Sequence, residues 1–348
     1  MRTGKLALSL AGLLIITVLA VPGTAAAAGP GWRLTPTGST AQLRGLSAVS
    51  GTVAWASGSQ GTVLRTVDGG RSWQSVSPPE TAELDFRDIE AFDAEHAVAL
   101  SIGEGEKSRI YRTGDGGRSW TESFRNTVPA AFYDCIAFFD PLRGLAMGDP
   151  VDGKIQILST WDGGRHWRPI PERNLPDALP GEAGFAASGQ CLSTAGPFDA
   201  WIGTGGGAQS RVLRSGDGGR TWKAVTTPIA SGPSAGVFAT GFRDPRHGLA
   251  IGGDYADPTN PAPALATSRD GGRSWHAAER APTGYRSGLA WRDGRTVLAV
   301  GPTGSDISHD GGGHWRPVDT GSFDTVDCTH SGACWAAGEK GRAAVLGP

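Results

Sequence analysis

TVDGGRSW, the run from Thr66 to Trp73, decides how this chain folds, because five near-copies follow it. They are TGDGGRSW (Thr113 to Trp120), TWDGGRHW (Thr160 to Trp167), SGDGGRTW (Ser215 to Trp222), SRDGGRSW (Ser268 to Trp275) and SHDGGGHW (Ser308 to Trp315). Their aspartates, Asp68, Asp115, Asp162, Asp217, Asp270 and Asp310, fall 40 to 55 residues apart, the period of a four-stranded propeller blade. Asp followed by Gly-Gly between short apolar runs is hairpin chemistry. The carboxylate accepts backbone N–H groups of its own turn, and glycine supplies positive φ without steric cost. The closing tryptophans, Trp73, Trp120, Trp167, Trp222, Trp275 and Trp315, open the next strand with the ring directed under the blade. Six near-identical copies around a ring cannot all face one site, so these residues read as structural.

The text around each box gives the blade phase. LRGLSAVSG, TVAWASGS, GTVLRT and SWQSVSPP alternate apolar and polar residues between glycine-rich turns, which is four strands with the box joining the third to the fourth. The order recurs as FRDIEAF, AVALSIG, RIYRT, SWTESF; as DCIAFF, GLAMGD, IQILST, HWRPI; as FAASGQCL, DAWIGT, RVLRS, TWKAV; as VFATGF, GLAIGG, ALATS, SWHAA; and as SGLAW, TVLAVG, SDIS, HWRPV. A seventh unit, FDTVDC, CWAAGEKG and RAAVL, lacks its fourth strand, and GWRLTPTG near the start resembles the missing one, HWRPVDTG. The expected fold is therefore an all-β, seven-bladed β-propeller of four-stranded antiparallel blades, closed by the N-terminal strand joining the last blade. A six-bladed ring with a loose tail is the alternative.

MRTGKLALSLAGLLIITVLAVPGTAAAAGP opens the chain with Arg2 and Lys5, an apolar stretch from Leu6 to Val21, and small residues up to Ala28. Residues 1–28 read as a secretory signal peptide and 29–348 as the propeller. An uncleaved membrane anchor is the alternative; after cleavage no stable membrane span is expected. The remainder carries a formal charge of about −4, which excludes the basic footprint that nucleic-acid binding needs. A monomer in a secreted or extracytoplasmic location is expected.

Cys328 and Cys334 flank the turn between the first two strands of the last blade, within disulfide reach of each other, and Cys135 with Cys191 forms a second candidate pair across neighbouring blades. No Cys-x-x-Cys or clustered histidine pattern points to a metal. No cofactor is expected: Gly203-Thr204-Gly205-Gly206-Gly207-Ala208 matches G-x-G-x-x-A, but a strand follows it where a phosphate-binding helix N-terminus is required.

Strands alternate direction, so the boxes share one face with the loops joining first to second strands, and the longer loops gather on the opposite face. Binding chemistry on a rigid scaffold concentrates in such loops. Candidate ligand residues there are Arg87, Arg109, Asp134, Asp149, Glu182, Arg211, Asp254 and Tyr255, with Asp152 nearby. Asp149, Glu182 and Asp254 are the catalytic candidates, since glycoside hydrolysis needs two well-spaced carboxylates. Taken singly, each also reads as a loop residue capping a strand end.

The boxes resemble the Asp-box, or bacterial neuraminidase repeat, of sialidases, xyloglucanases and sortilin-type receptors. The longer string FRDIEAFDAEHAVALSIGEGEKSRIYRTGDGGRSW resembles the photosystem II stability and assembly factor family and its secreted bacterial relatives. That resemblance spans nearly the whole mature chain and implies a seven-bladed propeller. The Arg-Ile-Pro motif of sialidases is absent; the early string is Trp32-Arg33-Leu34-Thr35-Pro36. The leading expectation is a secreted non-catalytic propeller that binds a protein partner or glycan on the face opposite the boxes, as an assembly factor would. The alternative is a secreted glycoside hydrolase using rim carboxylates.

Overall fold

The computed structural model describes Met1 and residues 31–260, 262–282 and 284–347; the signal peptide read at 1–28 lies, past Met1, outside them. Seven four-stranded antiparallel sheets form the blades of a propeller. Their first strands are Leu43–Ala48, Asp85–Ala91, Tyr133–Phe138, Leu192–Ala195, Ala235–Phe242, Gly288–Trp291 and Thr325–Cys328, and consecutive first strands pack against each other around the axis. In the seventh blade the outermost strand is Trp32–Leu34, paired with Ala343–Leu346 in the register Trp32 to Leu346. The two ends of the chain thus close the ring. No helix among the described residues is long and apolar enough to cross a membrane.

The core is divided among the blade interfaces. Seven hydrophobic clusters are found among the described residues, each made by two adjacent blades, such as Trp55 with Ile89 and Trp201 with Val237. Trp55, Trp201 and Trp335 occupy equivalent places on second strands, and each donates its indole N–H to a carbonyl of the following blade: Asp93, Gly271 and Ser50. Fully burying a ring of this size stabilises by about 4–6 kcal/mol on area alone. Neighbouring blades share no continuous ladder, so side chains bridge the first strands instead. Ser47 accepts the Ala91 N–H, Asp88 the Ile136 N–H and Asp327 the Ala48 N–H.

The boxes are built as small polar knots. In the first, the Thr66 hydroxyl donates to Asp68 at 2.9 Å and accepts the Gly70 N–H, while Asp68 accepts the Ser72 N–H and hydroxyl. The paired glycines of all six sit at positive φ, between 74° and 93°. Both cysteine pairs are disulfides: Cys328–Cys334 clips the first two strands of blade seven, and Cys135–Cys191 joins blade three to blade four. Two disulfides suit an oxidising compartment.

One strand differs from the sequence reading. FAASGQCL was read as the first strand of blade four, yet that strand is Leu192–Ala195 and pairs with Asp199–Ile202. The preceding residues leave the sheet and enter the axis.

Candidate functional site

Residues 184–191, Gly-Phe-Ala-Ala-Ser-Gly-Gln-Cys, form an axial plug. The segment belongs to blade four, yet it bonds to five other blades, which is possible only from the centre of the ring. Gly184 N–H donates to Asp149 of blade three at 2.8 Å, and the Ala186 carbonyl accepts from Arg87 of blade two at 2.7 Å. Ser188 donates to the Ser287 carbonyl beside blade six, and its own carbonyl accepts from Thr325 of blade seven. The Gln190 side chain ties blade six to blade seven through Leu289 and Val326, and its backbone carbonyl accepts the Thr240 N–H of blade five. Phe185 stacks on Phe238 of blade five at 4.4 Å. The Cys135–Cys191 disulfide fixes the inner end of the plug to blade three.

Small residues make this path available. Ala186, Ala187, Ser188 and Gly189 add little bulk, so backbone groups rather than side chains fill the axis. The plug occupies the axis, and the side chains around its outer end, opposite the boxes, form the axial mouth.

Around that mouth the structure gathers Arg87, Asp134 and Asp149 from the sequence-derived set. Arg87 also donates to Asp85 at 3.0 Å. Asp134 is buried, and burial, reinforced by the charge of Asp149, holds its carboxyl well above the usual carboxylate range, with Arg87 pulling the other way. Burial raises Asp149 too, against the Gly184 N–H that favours its charged form. The Asp134 Oδ2 has no hydrogen-bond partner.

Apart from Tyr255, the other candidates do not converge there. Glu182 is sealed, with no exposed side-chain surface. It is paired with Arg211 through two contacts, one Nε–Oε1 bond of 2.8 Å and one to Oε2, and it also accepts the Thr204 hydroxyl at 2.6 Å and the Leu179 N–H at 2.8 Å. Its lone pairs are occupied, so Glu182 and Arg211 lock the loop that launches the plug. Arg109 lies on a third strand, away from the axis, bonded to the Glu106 carbonyl and 3.8 Å from Glu122. Asp254 braces its own loop by accepting the Ala256 N–H. Asp152 sits in the left-handed region at φ 50° in a two-residue turn with Gly153. Tyr255 is exposed and meets Phe185 and Phe238 edge-on, so it belongs to the rim of the plug.

Three mouth residues were not singled out from the sequence. Arg44 lies 4.0 Å from Asp324, and its Nε is buried without a hydrogen-bond partner. Burial and the like charge of Arg87 lower its pKa, while Asp324 and Asp85 oppose the shift. Tyr285 stands beside both Arg44 and Asp324, its hydroxyl held above the usual phenol range by burial first and Asp324 second. The available signal was position: Arg44, Arg87 and Asp324 open or directly precede first strands, at the end of the ring opposite the boxes.

The arrangement presents two neighbouring guanidinium groups, one with an unused donor, beside an aromatic rim over a closed axis. It suits recognition of an anionic group flanked by apolar surface. A cleft of about 880 Å3 opens elsewhere, between blades five and six on the box side. Two of its carboxylates, Asp270 and Asp310, are spent inside their boxes.

No protein-family model and no curated protein matches the chain. Among solved structures, it is similar to YCF48 bound to a D1 peptide, at 17% identity and a TM-score of 0.65 over 96% of this chain and 100% of that one. It is likewise similar to YCF48 from Cyanidioschyzon merolae, at 18% identity and 0.65, covering 91% and 99%. The Niastella koreensis GH74 enzyme matches at 13% identity and 0.60, covering 90% of this chain and 53% of that one. At these identities the likeness is one of fold.

Proposed function

We propose that this protein is a non-catalytic propeller that binds an extended, acidic segment of a protein partner across the axial mouth opposite the boxes. Arg44 and Arg87 receive carboxylates, and Phe185 with Tyr255 receives apolar side chains. The observation that carries this reading is that the Arg44 side chain, part-exposed at the mouth and 4.0 Å from Asp324, makes no hydrogen bond among the described residues, which leaves guanidinium donors available to a carboxylate. YCF48, similar in fold, has been solved with a peptide bound, which supports a peptide as the class of ligand. The two disulfides support work in an oxidising, extracytoplasmic compartment, reached with residues 1–28 as a leader. An assembly factor for an extracytoplasmic complex fits these features.

The glycoside hydrolase alternative has less behind it. Of its three carboxylates, Glu182 is locked to Arg211, Asp254 braces a loop, and Asp149 holds the plug.

A fluorescent array of acidic 15-residue peptides, read beside chromogenic glycosides, tests the proposal. Binding should weaken by about 10- to 100-fold in Arg44→Gln, the loss of one charge-assisted hydrogen bond. Glycoside turnover abolished by Asp149→Asn, or peptide binding indifferent to Arg44, would sink it.

A further inference from the structure

The six boxes supply an internal comparison. In each blade that carries one, the first box glycine donates its N–H to one carbonyl in the loop between the first and second strands. Those carbonyls belong to Thr52, Glu95, Leu142, Phe198, Arg246 and Arg295. The position is thereby aligned by hydrogen bonding, and it is polar everywhere except in blades three and four. The second box position is likewise Val67, Gly114, Trp161, Gly216, Arg269 and His309, so blade three alone has an indole there, while blade one has an exposed valine.

The three departures are neighbours. Arg143, next to Leu142, lies 5.6 Å from the Phe198 ring; Phe198 accepts the Gly218 N–H of the fourth box; Arg220 of that box lies 5.3 Å from the Trp161 ring; and Gly163 of the third box donates back to Leu142. This closed circuit leaves Leu142 56%, Trp161 49% and Phe198 49% exposed. The other boxes fold without an aromatic ring or leucine at these positions, so the fold does not require them. An exposed apolar cluster on rigid loops marks a recognition surface.

The charges around it specify the partner. Arg143 is anchored to Asp140 at 2.7 Å, whereas the Arg220 guanidinium has neither a hydrogen bond nor an ion pair among the described residues. Arg165 stands beside Gly163. Of the nearby acids, Asp140 is paired, Asp162 and Asp217 are bound within their boxes, and Asp199, next to Phe198, lies in the field of Arg214 and Arg273. A guanidinium beside an indole, with its N–H donors otherwise unpaired, is available to a carboxylate. Leucine among the ring residues favours a polypeptide over a sugar, which stacks on aromatic faces alone.

We propose that the box-side rim of blades three and four is a second docking surface, separate from the axial mouth, for a protein partner that presents a carboxylate beside a large apolar side chain. The test is a random dodecapeptide display library panned against the full-length protein, with polygalacturonate as the glycan probe and light scattering across protein concentration. Enriched peptides should carry Asp or Glu within two residues of Leu, Phe or Trp. Their binding should weaken at least tenfold in Trp161→Ala and in Arg220→Gln, both with an unchanged melting temperature, and should be unaffected in Arg44→Gln. Phe198→Ser serves as a further variant should Trp161→Ala fail to fold. Peptides that bind Trp161→Ala and Arg220→Gln as well as they bind the parent would overturn the proposal. Polygalacturonate binding that depends on Trp161 would overturn it in favour of a glycan, and dimerisation lost in Trp161→Ala would assign the surface to a second copy of the chain.

Discussion

Gly189 lies against the carboxylate of Asp88, so close that a Cβ at that position would collide with Asp88 Oδ1. Its φ is 74°, in the left-handed region, and Asp88 is already occupied by the Ile89 and Ile136 N–H groups. Position 189 therefore needs glycine for two independent reasons. Gly38 shares the same φ but has open space around its Cβ site. Gly38→Ala should cost about 1 kcal/mol, the price of backbone strain alone, and Gly189→Ala at least about 2 kcal/mol more. Urea unfolding of both variants measures the difference; equal losses would mean that the plug yields without resistance.

The Glu182–Arg211 pair should behave as structure. Removing one partner from a buried ion pair leaves an uncompensated charge, so Glu182→Met should cost about 3–5 kcal/mol. The double variant Glu182→Met with Arg211→Met should be less damaging than Glu182→Met alone, because it removes both charges at once. A double-mutant cycle by chemical unfolding reads this directly. Additive losses would show that the two groups are not coupled.

The two disulfides should contribute unequally. Cys135–Cys191 spans 56 positions and Cys328–Cys334 spans 6. On chain entropy, the first stabilises by about 4 kcal/mol and the second by about 2 kcal/mol. Replacing Cys135 and Cys191 with serine should also accelerate hydrogen exchange at residues 184–191, where the bridge holds the plug, and replacing Cys328 and Cys334 should not. Exchange by mass spectrometry distinguishes the two.

Stability should peak near pH 4. Burial pushes the Asp327 and Asp149 carboxyls up to about 6, above the unfolded value near 4. The folded chain then binds more protons than the unfolded chain between about pH 4 and 6, so stability falls as pH rises through that window. Box aspartates act in the opposite sense. The Ser72 and Ser119 hydroxyls, with the N–H groups of the same serines, hold Asp68 and Asp115 down to about 2, and that contribution is lost as pH falls from 4 towards 2. Melting temperatures from pH 2 to 8 should show the maximum, and Asp149→Asn should flatten the fall between pH 4 and 6. A curve that rises from pH 4 to 6 would contradict the assignment.

Much of the ring was legible because its information is local. The boxes carry their own hydroxyl, carboxylate and glycine pair within five residues, and the repeat counts the blades. The missing fourth strand of blade seven was readable from the likeness of Trp32–Leu34 to its counterparts. Trp161 and Phe198 were in plain view as well, yet nothing in the string says that they meet: the circuit through Arg143 and Arg220 crosses two blades.

The sequence by itself determined the repeat, the turn chemistry, the blade count and the closure of the ring, since each rests on residues a few positions apart or on a period. Tertiary structure alone decided what the central channel contains and which polar side chains remain available. Gly184 to Cys191 lack the bulk and alternation that announce a role, and their partners lie on five blades at separations of up to 137 residues, as between Ser188 and Thr325. Whether Glu182 is a free acid or a locked one depends on Arg211 and Thr204 arriving from two different strands. Burial and pairing are properties of three-dimensional neighbours, and a linear chain does not carry them.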